Sequence, residues 1–328
     1  MSEDLLQILR RDGVVRSPGA SLTPLAGGVS SEICRVEDGA DNFVVKRALP
    51  KLKVRDDWTA DTSRNLYEQR YLAYVARFLP GAVPALRDSP SGTGYFAMEY
   101  LGPGYRNWKD LLLAADFRPA HACAAARVLG QIHRVSYCDA QAAALFASGA
   151  CFYQLRLEPY LLTTGRRHPQ LQALFEAESA RLAANHECLV HGDLSPKNIL
   201  IGESRFIILD CECAWYGDPA FDVCFLLNHL FLKSLLHLRE PGPREMIAAF
   251  WREYTAASGR DLEALVPRLV LMLMLARIDG KSPVEYFDEP RRRFVRDFVC
   301  AHLPQPFPTL DALSGCWFGE LRAFSCRS

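Results

Sequence analysis

Short apolar runs separated by turn residues fill the N-terminal part of the chain, and this pattern predicts a small antiparallel sheet. Residues 21–49 read as three strands, with a glycine-rich turn at 27–31 and the third strand at 42–49. Two further short strands are predicted at 84–87 and 94–98, on either side of a turn rich in Ser, Pro and Gly. Runs of this length between such turn residues are typical of hairpin strands.

Helical periodicity first appears within this segment and dominates the rest of the chain. Residues 61–79 predict a helix whose apolar stripe includes Leu72, Val75 and Leu79. Beyond residue 104, apolar positions recur at helical spacing in further segments: 118–135, 169–187, 222–238, 243–257 and 262–278. The expected fold class is therefore α+β, with a small N-terminal antiparallel-sheet lobe and a larger, mainly helical C-terminal lobe.

A short segment rich in glycine and proline separates the two predicted lobes. Glu99-Tyr-Leu-Gly-Pro-Gly follows the last predicted strand and suits a flexible connection. We therefore expect an N-terminal lobe at 1–98, a hinge at 99–104 and a C-terminal lobe at 105–328. The length of 328 residues exceeds one average domain, which is consistent with two lobes.

Composition narrows the class of protein without identifying it. Lys plus Arg and Asp plus Glu both number 38, so the net charge gives no indication of a nucleic-acid or anionic-membrane partner. The longest plain apolar run, 269–276, is too short to span a bilayer. Eleven scattered cysteines without a Cys-x-x-Cys pair, and an N-terminus without a signal-peptide pattern, predict a cytoplasmic protein with reduced thiols. The oligomeric state and the role of residues 304–328 stay open.

The stretch at 190–222 holds a set of residues suited to phosphoryl transfer. Asp193 and Asn198 lie in a short polar loop, and a predicted hairpin then ends on Asp210. A hairpin that begins beside Asn198 and ends at Asp210 brings the side chains of Asp193, Asn198 and Asp210 to one edge of a sheet. Phosphoryl transfer from ATP requires such a set. One carboxylate accepts the proton of the attacking hydroxyl, while an amide oxygen and a second carboxylate hold magnesium.

The compound pattern His-Gly-Asp-x-x-x-x-Asn, Leu-Asp-x-Glu and Gly-Asp-Pro-x-x-Asp in this stretch resembles the aminoglycoside phosphotransferase and choline kinase family. These are small-molecule kinases built on the two-lobed protein-kinase fold. The resemblance implies ATP and Mg²⁺ as cofactors, Asp193 as the catalytic base, and Asn198 and Asp210 as metal ligands. It also implies that His191 orients the loop and that Asp222 accepts backbone N–H groups of that loop. A simple helix N-cap is the alternative for Asp222.

Two charged residues of the N-terminal lobe complete the expected nucleotide site. Lys46 ends an apolar strand, and Glu68 lies on the apolar stripe of the 61–79 helix, where a buried acid requires a cation. We therefore expect Lys46 and Glu68 to pair, as the Lys–Glu pair of the family does. The resemblance implies further nucleotide contacts from the glycine turn and the hinge: Gly27, Gly28, Ser30, Glu99 and Leu101.

The acceptor site is the least determined part of the sequence. Arg277, Asp279 and Lys281 follow a strongly apolar helix and break its pattern abruptly. Since the late helices of the family contribute to its acceptor site, we expect these three side chains to contact the acceptor. The alternative is a helix C-terminus with favourable cations. The charged stretch from Arg156 to His168 is the next candidate.

The expected function is ATP-dependent phosphorylation of a hydroxyl on a small molecule such as a sugar, an aminoglycoside-like antibiotic or an amino alcohol. A kinase of peptide or protein hydroxyls is one alternative. Ser195, where many protein kinases carry lysine, and the lack of an Ala-Pro-Glu segment argue against it. The other alternative is a non-catalytic nucleotide-binding scaffold. The complete set of charged and amide residues argues against a scaffold: Lys46, Glu68, Asp193, Asn198 and Asp210.

Overall fold

The N-terminal lobe is a five-stranded antiparallel sheet with one helix packed on each face. The computed structural model describes residues 5–25, 31–48, 64–90, 92–238, 240 and 242–326. The two helices of this lobe are α1 (Leu5–Arg11) and α2 (Arg64–Ala76). The strands are β1 (Ser21–Pro24), β2 (Ser31–Asp38), β3 (Asp41–Ala48), β4 (Leu86–Arg87) and β5 (Tyr95–Glu99), in the spatial order β1-β2-β3-β5-β4.

The alternation of side chains along β3 explains how both faces of the sheet are covered. Val45 packs with Leu9 of α1 on one face, while Val44 packs with Leu72 of α2 on the other. Because successive side chains of a strand point to opposite faces, Lys46 shares the face of Val44. The strand therefore directs a buried lysine toward α2.

The C-terminal lobe is mainly helical and carries two short antiparallel sheets. Its strands are β6 (Arg106–Asn107), β7 (Cys188–Val190), β8 (Ile199–Ile201), β9 (Phe206–Ile208) and β10 (Trp215–Gly217), paired as β6-β8-β9 and β7-β10. Its helices are α3 (Trp108–Leu113), α4 (Pro119–Ser136), α5 (Ala140–Leu145), α6 (Gly149–Phe152), α7 (Thr163–Arg167), α8 (Gln172–Ala184), α9 (Pro219–Ser234), α10 (Gly242–Ser258), α11 (Val266–Asp279), α12 (Glu289–His302) and α13 (Leu310–Ser325).

Helix α9 forms the centre of this lobe. All of its residues are buried, and it packs against α10 and α11. A helix that is apolar on most sides requires such complete coverage. The C-terminal helix α13 also belongs to the lobe, since Trp317 is buried and donates its Nε1–H to Ser234 Oγ of α9 at 2.9 Å.

The predicted fold class is confirmed, and so are the main helices. The helices expected at 222–238, 243–257 and 262–278 are α9, α10 and α11, with ends that differ by at most four residues. None of the eleven cysteines, all of which lie in the described residues, forms a disulfide. Among the described residues, no helix combines the length and the apolar character that a membrane crossing requires.

Candidate active site

The loop between β7 and β8 is anchored by Asp222, a fully buried residue in the first turn of α9. Its carboxylate accepts the backbone N–H of His191 at 2.7 Å and that of Gly192 at 2.9 Å. The N-cap of α9 is Asp218, whose Oδ1 accepts the N–H of Ala220 at 2.8 Å. Asp222 therefore makes the loop contacts expected of it, and the alternative of a simple N-cap is wrong.

His191 and Gly192 fix the direction in which the loop leaves β7. His191 Nδ1 accepts the Asp193 N–H at 3.1 Å, and Nε2 lies 3.0 Å from the carbonyl oxygen of Leu209, to which it donates. Burial lowers the pKa of His191, which keeps the ring neutral in this role. Gly192 has φ +77°, and a Cβ there would lie 2.5 Å from the Cys213 carbonyl oxygen, so only glycine fits.

Asp193 is a buried carboxylate surrounded by donors. Its Oδ2 lies 3.0 Å from Asn198 Nδ2, 3.0 Å from an Arg156 guanidinium nitrogen and 3.2 Å from Lys197 Nζ. Burial alone would raise the pKa of Asp193, but the charges of Arg156 and Lys197 outweigh it and hold that pKa below its usual value. The group is therefore ionised at neutral pH and able to accept a proton.

Asn198 and Asp210 present oxygen atoms to the same cleft. Asn198 donates from Nδ2 to the carbonyl oxygen of Asp193 at 2.9 Å, which leaves its Oδ1 without a hydrogen-bond partner among the described residues. Asp210 follows β9 with φ +62°, a left-handed conformation that is unfavourable for most side chains. Amide and carboxylate oxygens are the ligands that Mg²⁺ prefers, so this pair suits the predicted metal site.

Lys46 lies between two carboxylates. Its Nζ is 2.8 Å from Glu68 Oε1 and 2.5 Å from Asp210 Oδ1, and the lysine is almost completely buried. Burial opposes the charged lysine, but the two acids outweigh that effect and raise the pKa of Lys46 well above its usual value. The predicted Lys46–Glu68 pair is thus present, and it is also joined to Asp210, two residues after β9.

The cleft between the lobes has a volume of about 440 Å³. Its walls are largely apolar and come from both lobes: Leu25, Ile33, Val44, Leu72, Met98, Leu200 and Leu209. The polar end of the cleft carries Lys46, Glu68, Asn198 and Asp210. An apolar slot with charged groups at one end suits a flat ring attached to phosphates.

Residues 99–103 of the predicted hinge also line this cleft. The Glu99 side chain is bound to Arg205 at 2.7 Å and 3.1 Å, and its backbone N–H donates to the Ala85 carbonyl oxygen at 2.8 Å, so both groups are already engaged. Leu101 follows β5 and makes no backbone hydrogen bond to another described residue. Gly27, Gly28 and Ser30 lie outside the described residues.

A model of the phosphotransferase enzyme family matches residues 21–265, about three quarters of the chain. The chain belongs to this family. The predicted relationship and the predicted class of enzyme, an ATP-dependent phosphotransferase acting on a small-molecule hydroxyl, are therefore confirmed. The resemblance was carried by the 190–222 segment, which lies inside the match.

Individual relatives of this phosphotransferase are distant. A methylthioribose kinase of Pectobacterium carotovorum is 26% identical over 297 residues, covering 78% of this chain and 74% of the relative. An amicoumacin kinase in complex with AMP-PNP, Ca²⁺ and amicoumacin has a TM-score of 0.57 at 16% identity, covering 91% and 92% of the chains. An ethanolamine kinase of Plasmodium vivax has a TM-score of 0.51 at 13% identity, covering 89% and 84%. These structural likenesses show the kinase fold.

Two arginines make contacts at the phosphotransferase site that the sequence did not predict, although Arg156 begins the stretch named as the next acceptor candidate. Arg156 is buried, contacts Asp193 and donates to the carbonyl oxygen of Gly192. Arg64, at the start of α2, is fully buried and lies 3.0 Å from Glu212, two residues after Asp210. Arg64 therefore adds a second ionic connection between the lobes beside that of Lys46.

The three predicted acceptor residues are engaged to different degrees. Arg277 donates to Ser282 Oγ at 2.8 Å and lies 3.3 Å from Tyr160 Oη, but its buried Nε has no partner among the described residues. Lys281 is ion-paired with Glu158 at 2.8 Å. These contacts keep Arg277 as a candidate acceptor contact and favour a structural role for Lys281.

Asp279 lies at the junction of three helical segments. Its carboxylate is 2.8 Å and 2.9 Å from the Arg296 guanidinium of α12, and 2.8 Å from Nε2 of His168, just beyond α7. Burial would raise the pKa of Asp279, but the bonds from Arg296 and His168 lower it below its usual value. These contacts favour a structural role, in contrast to the predicted acceptor contact.

We expect Asp279→Ala to destabilise the protein and to leave acceptor kinetics unchanged. Loss of charged hydrogen bonds costs about 2 kcal/mol, which lowers Tm by roughly 3 °C in a protein of this size. Thermal unfolding and the KM for the acceptor measure the two effects, with Asp297→Ala on the exposed side of α12 as the control. A raised acceptor KM at unchanged Tm would instead restore Asp279 to the acceptor site.

We also expect Lys46→Met and Glu68→Gln to impair ATP use through one shared interaction. Each variant should raise the KM for ATP or lower kcat, and the double variant should be little worse than the worse single variant, because residues acting as a unit are non-additive. Steady-state kinetics of the unsubstituted protein, both single variants and the double variant measure this shared interaction. Arg47→Met, which removes a neighbouring, more exposed ion pair with Glu32, is the control on the same strand. Fully additive losses would contradict the shared role.

Proposed function

We propose that this phosphotransferase moves the γ-phosphoryl group of ATP to a hydroxyl of a sugar-like small molecule, with Asp193 as the base. The observation that carries the proposal is that Lys46, Glu68, Asn198 and Asp210 line one cleft while the Asp193 carboxylate is bonded to Asn198. Asp193 accepts the hydroxyl proton as the oxygen attacks. Its lowered pKa and its contact with Asn198 keep the carboxylate ionised and fixed for that task.

The nucleotide is proposed to bind with its adenine against the hinge at 99–104 and its phosphates toward Lys46. The apolar walls of the cleft suit the ring, and the free backbone groups of Leu101 suit its polar edge. Lys46 holds a phosphate and is itself kept in place by Glu68. Gly27, Gly28 and Ser30 are proposed to approach the phosphates.

Mg²⁺ is proposed to bind Asn198 Oδ1 and the Asp210 carboxylate. Bound Mg²⁺ supplies charge neutralisation of the phosphate oxygens during transfer. Asp210 is ionised at neutral pH because Lys46 lowers its pKa despite its burial. The donor set is entirely of oxygen atoms, which suits this ion and does not suit a soft metal.

The acceptor class and the cellular setting are proposed from the relatives and the thiols. The methylthioribose kinases match about three quarters of their own length, which supports a sugar-derived hydroxyl compound as acceptor. Eleven free cysteines are consistent with a cytoplasmic enzyme.

An ADP-release screen tests the proposed function. Purified protein with ATP and Mg²⁺ is offered sugars and sugar derivatives, aminoglycosides, amino alcohols and hydroxyl-bearing peptides. We expect acceptor-dependent ADP release within the sugar-derived class. Release only with peptides would contradict the proposed acceptor, and no release with any class, from protein shown to bind ATP, would favour a scaffold.

A further inference from the structure

A cationic cluster is formed by His229 and Lys233 of α9 and Arg277 of α11. His229 and Lys233 are one helical turn apart, and both are at least nine-tenths buried. Lys233 lies 5.1 Å from the Tyr286 ring centroid and forms no ion pair with any described residue. His229 Nδ1, Arg277 Nε and the Tyr286 hydroxyl are buried atoms without a hydrogen-bond partner in the described part of the chain.

The cluster connects to the proposed base through a series of packed side chains. The Arg156 guanidinium, bound to Asp193, lies 5.7 Å from the Phe225 ring centroid, and the Phe225 ring lies 5.6 Å from that of His229. Arg277 reaches the same region through Tyr160. Arg156 and Phe225 therefore connect the proposed base with the cluster by direct side-chain contacts.

Two further lysines, both partly exposed, act on the same cluster. The Lys197 side chain is 53% exposed and Lys109 is 29% exposed, and the positive charges of both act on His229. The nearby acid Glu285 is already bonded to Lys109. Five basic residues thus lie near one another, and the acids among the groups acting on them are Glu285, Asp193 and Asp210.

The charges of the cluster are unfavourable without a negative partner. Burial and the charges of Arg277 and Lys109 lower the pKa of Lys233 to about 7. Burial and the charges of Lys233 and Arg277 lower the pKa of His229 as well. A cation near the C-terminus of α9 gains from the helix dipole. The helix dipole therefore accounts for the charge of Lys233, but it leaves the unpaired polar atoms of His229 and Arg277 unexplained.

We infer that the acceptor is an anionic alcohol, with a carboxylate or phosphate that binds Lys233, Arg277 and His229 while its hydroxyl reaches Asp193. The inference rests on the proposed function and narrows its acceptor class. An anion in this position relieves the repulsion between the cations and supplies partners for the unbonded polar atoms. A polycationic aminoglycoside meets like charges here instead.

Matched acceptor pairs test the inference by ADP release. Glycerate is compared with glycerol, and ribose 5-phosphate with ribose, so that the two pairs distinguish a carboxylate from a phosphate. We expect at least one anionic member to have a kcat/KM ten or more times that of its neutral counterpart. Lys233→Met should then raise the KM for that acceptor by about ten- to a hundredfold, the value of a charged hydrogen bond. The KM for ATP should stay near that of the unsubstituted protein.

A binding measurement makes the test independent of turnover. With AMP-PNP and Mg²⁺ at saturation, inorganic phosphate or acetate should raise Tm relative to chloride at equal ionic strength, because ligands of the folded state stabilise it. Lys233→Met should abolish that rise. Arg268→Met on the exposed face of α11 should retain it. Without anions, Lys233→Met should not lower Tm, since it removes an unpaired buried charge.

The outcomes separate the inference from the proposed function. Equal or better use of the neutral acceptors would overturn the anion site and leave the kinase intact. A Lys233-dependent rise in Tm without any phosphoryl transfer would support the anion site and count against the kinase. A loss of Tm in Lys233→Met with no response to anions in the unsubstituted protein would show that the cluster is structural.

Discussion

Replacing Asp193 by asparagine should lower turnover by roughly 10²–10⁴-fold, the usual contribution of a general base. Asparagine preserves the shape of the side chain but cannot accept the hydroxyl proton. Because Asp193 acts on the acceptor, ATP should still bind with nearly unchanged affinity. The measurements are kcat at saturating ATP and acceptor, and the Kd of AMP-PNP by calorimetry.

The control for Asp193→Asn is Asp297→Asn, which removes one exposed carboxylate on α12. This control should keep full turnover. Near-normal turnover of Asp193→Asn with any accepted substrate would exclude Asp193 as the base. Loss of AMP-PNP binding together with turnover would indicate that the loop, held by Arg156 and Asn198, had collapsed.

Asp210→Asn should abolish the dependence of nucleotide binding on Mg²⁺ and lower turnover by about 10²–10³-fold. A metal supplies several kcal/mol of charge stabilisation in the transition state, and each 1.4 kcal/mol is about tenfold. Asparagine is the suitable replacement because Asp210 has φ +62°, a conformation that asparagine tolerates. Titration of AMP-PNP with Mg²⁺ and with EDTA measures the effect.

In EDTA, Asp210→Asn and the unsubstituted protein should bind AMP-PNP about equally, since the metal makes the difference between them. Thermal unfolding of the same variant monitors the loss of the ion pair with Lys46. If Mg²⁺ strengthened nucleotide binding equally in both proteins, Asp210 would not be a metal ligand.

The N-terminal sheet and the main helices could be predicted because their signals are local. The short apolar run of β3 and the helical spacing of Leu72 and Val75 in α2 can each be recognised within a few residues. These patterns indicate which side chains are buried. The same patterns brought Lys46 and Glu68 together, since each is a charged residue on a buried face. Asp193, Asn198 and Asp210 could be predicted for a similar reason, because one hairpin and the loop before it carry all three.

The partners of buried charges could not be predicted, because they come from distant segments. Asp279 stands out in the sequence, yet His168 and Arg296, which bind it, lie on two other elements. Arg156 comes from a π-helical segment, Tyr153–Leu162, that has no simple sequence period. A sequence shows which residues are charged, but the fold decides which of them are neutralised.

One signal in the sequence is consistent with the proposed anion site. His229 and Lys233 are polar residues one turn apart in α9, a helix whose residues are all buried. Polar residues in an otherwise apolar central helix require partners or a ligand. The position of this pair below Arg156 and Tyr160 becomes apparent only when the late helices pack together.

The most direct test of the central claim is detection of the phosphorylated acceptor. Protein, ATP, Mg²⁺ and an acceptor identified by ADP release are followed by ³¹P NMR, with Asp193→Asn run in parallel. A phosphate ester of the small molecule should accumulate in step with ADP, and its rate should fall by roughly 10²-fold or more in the variant. Free phosphate in place of the ester, or equal ester formation by Asp193→Asn, would contradict phosphoryl transfer at this site.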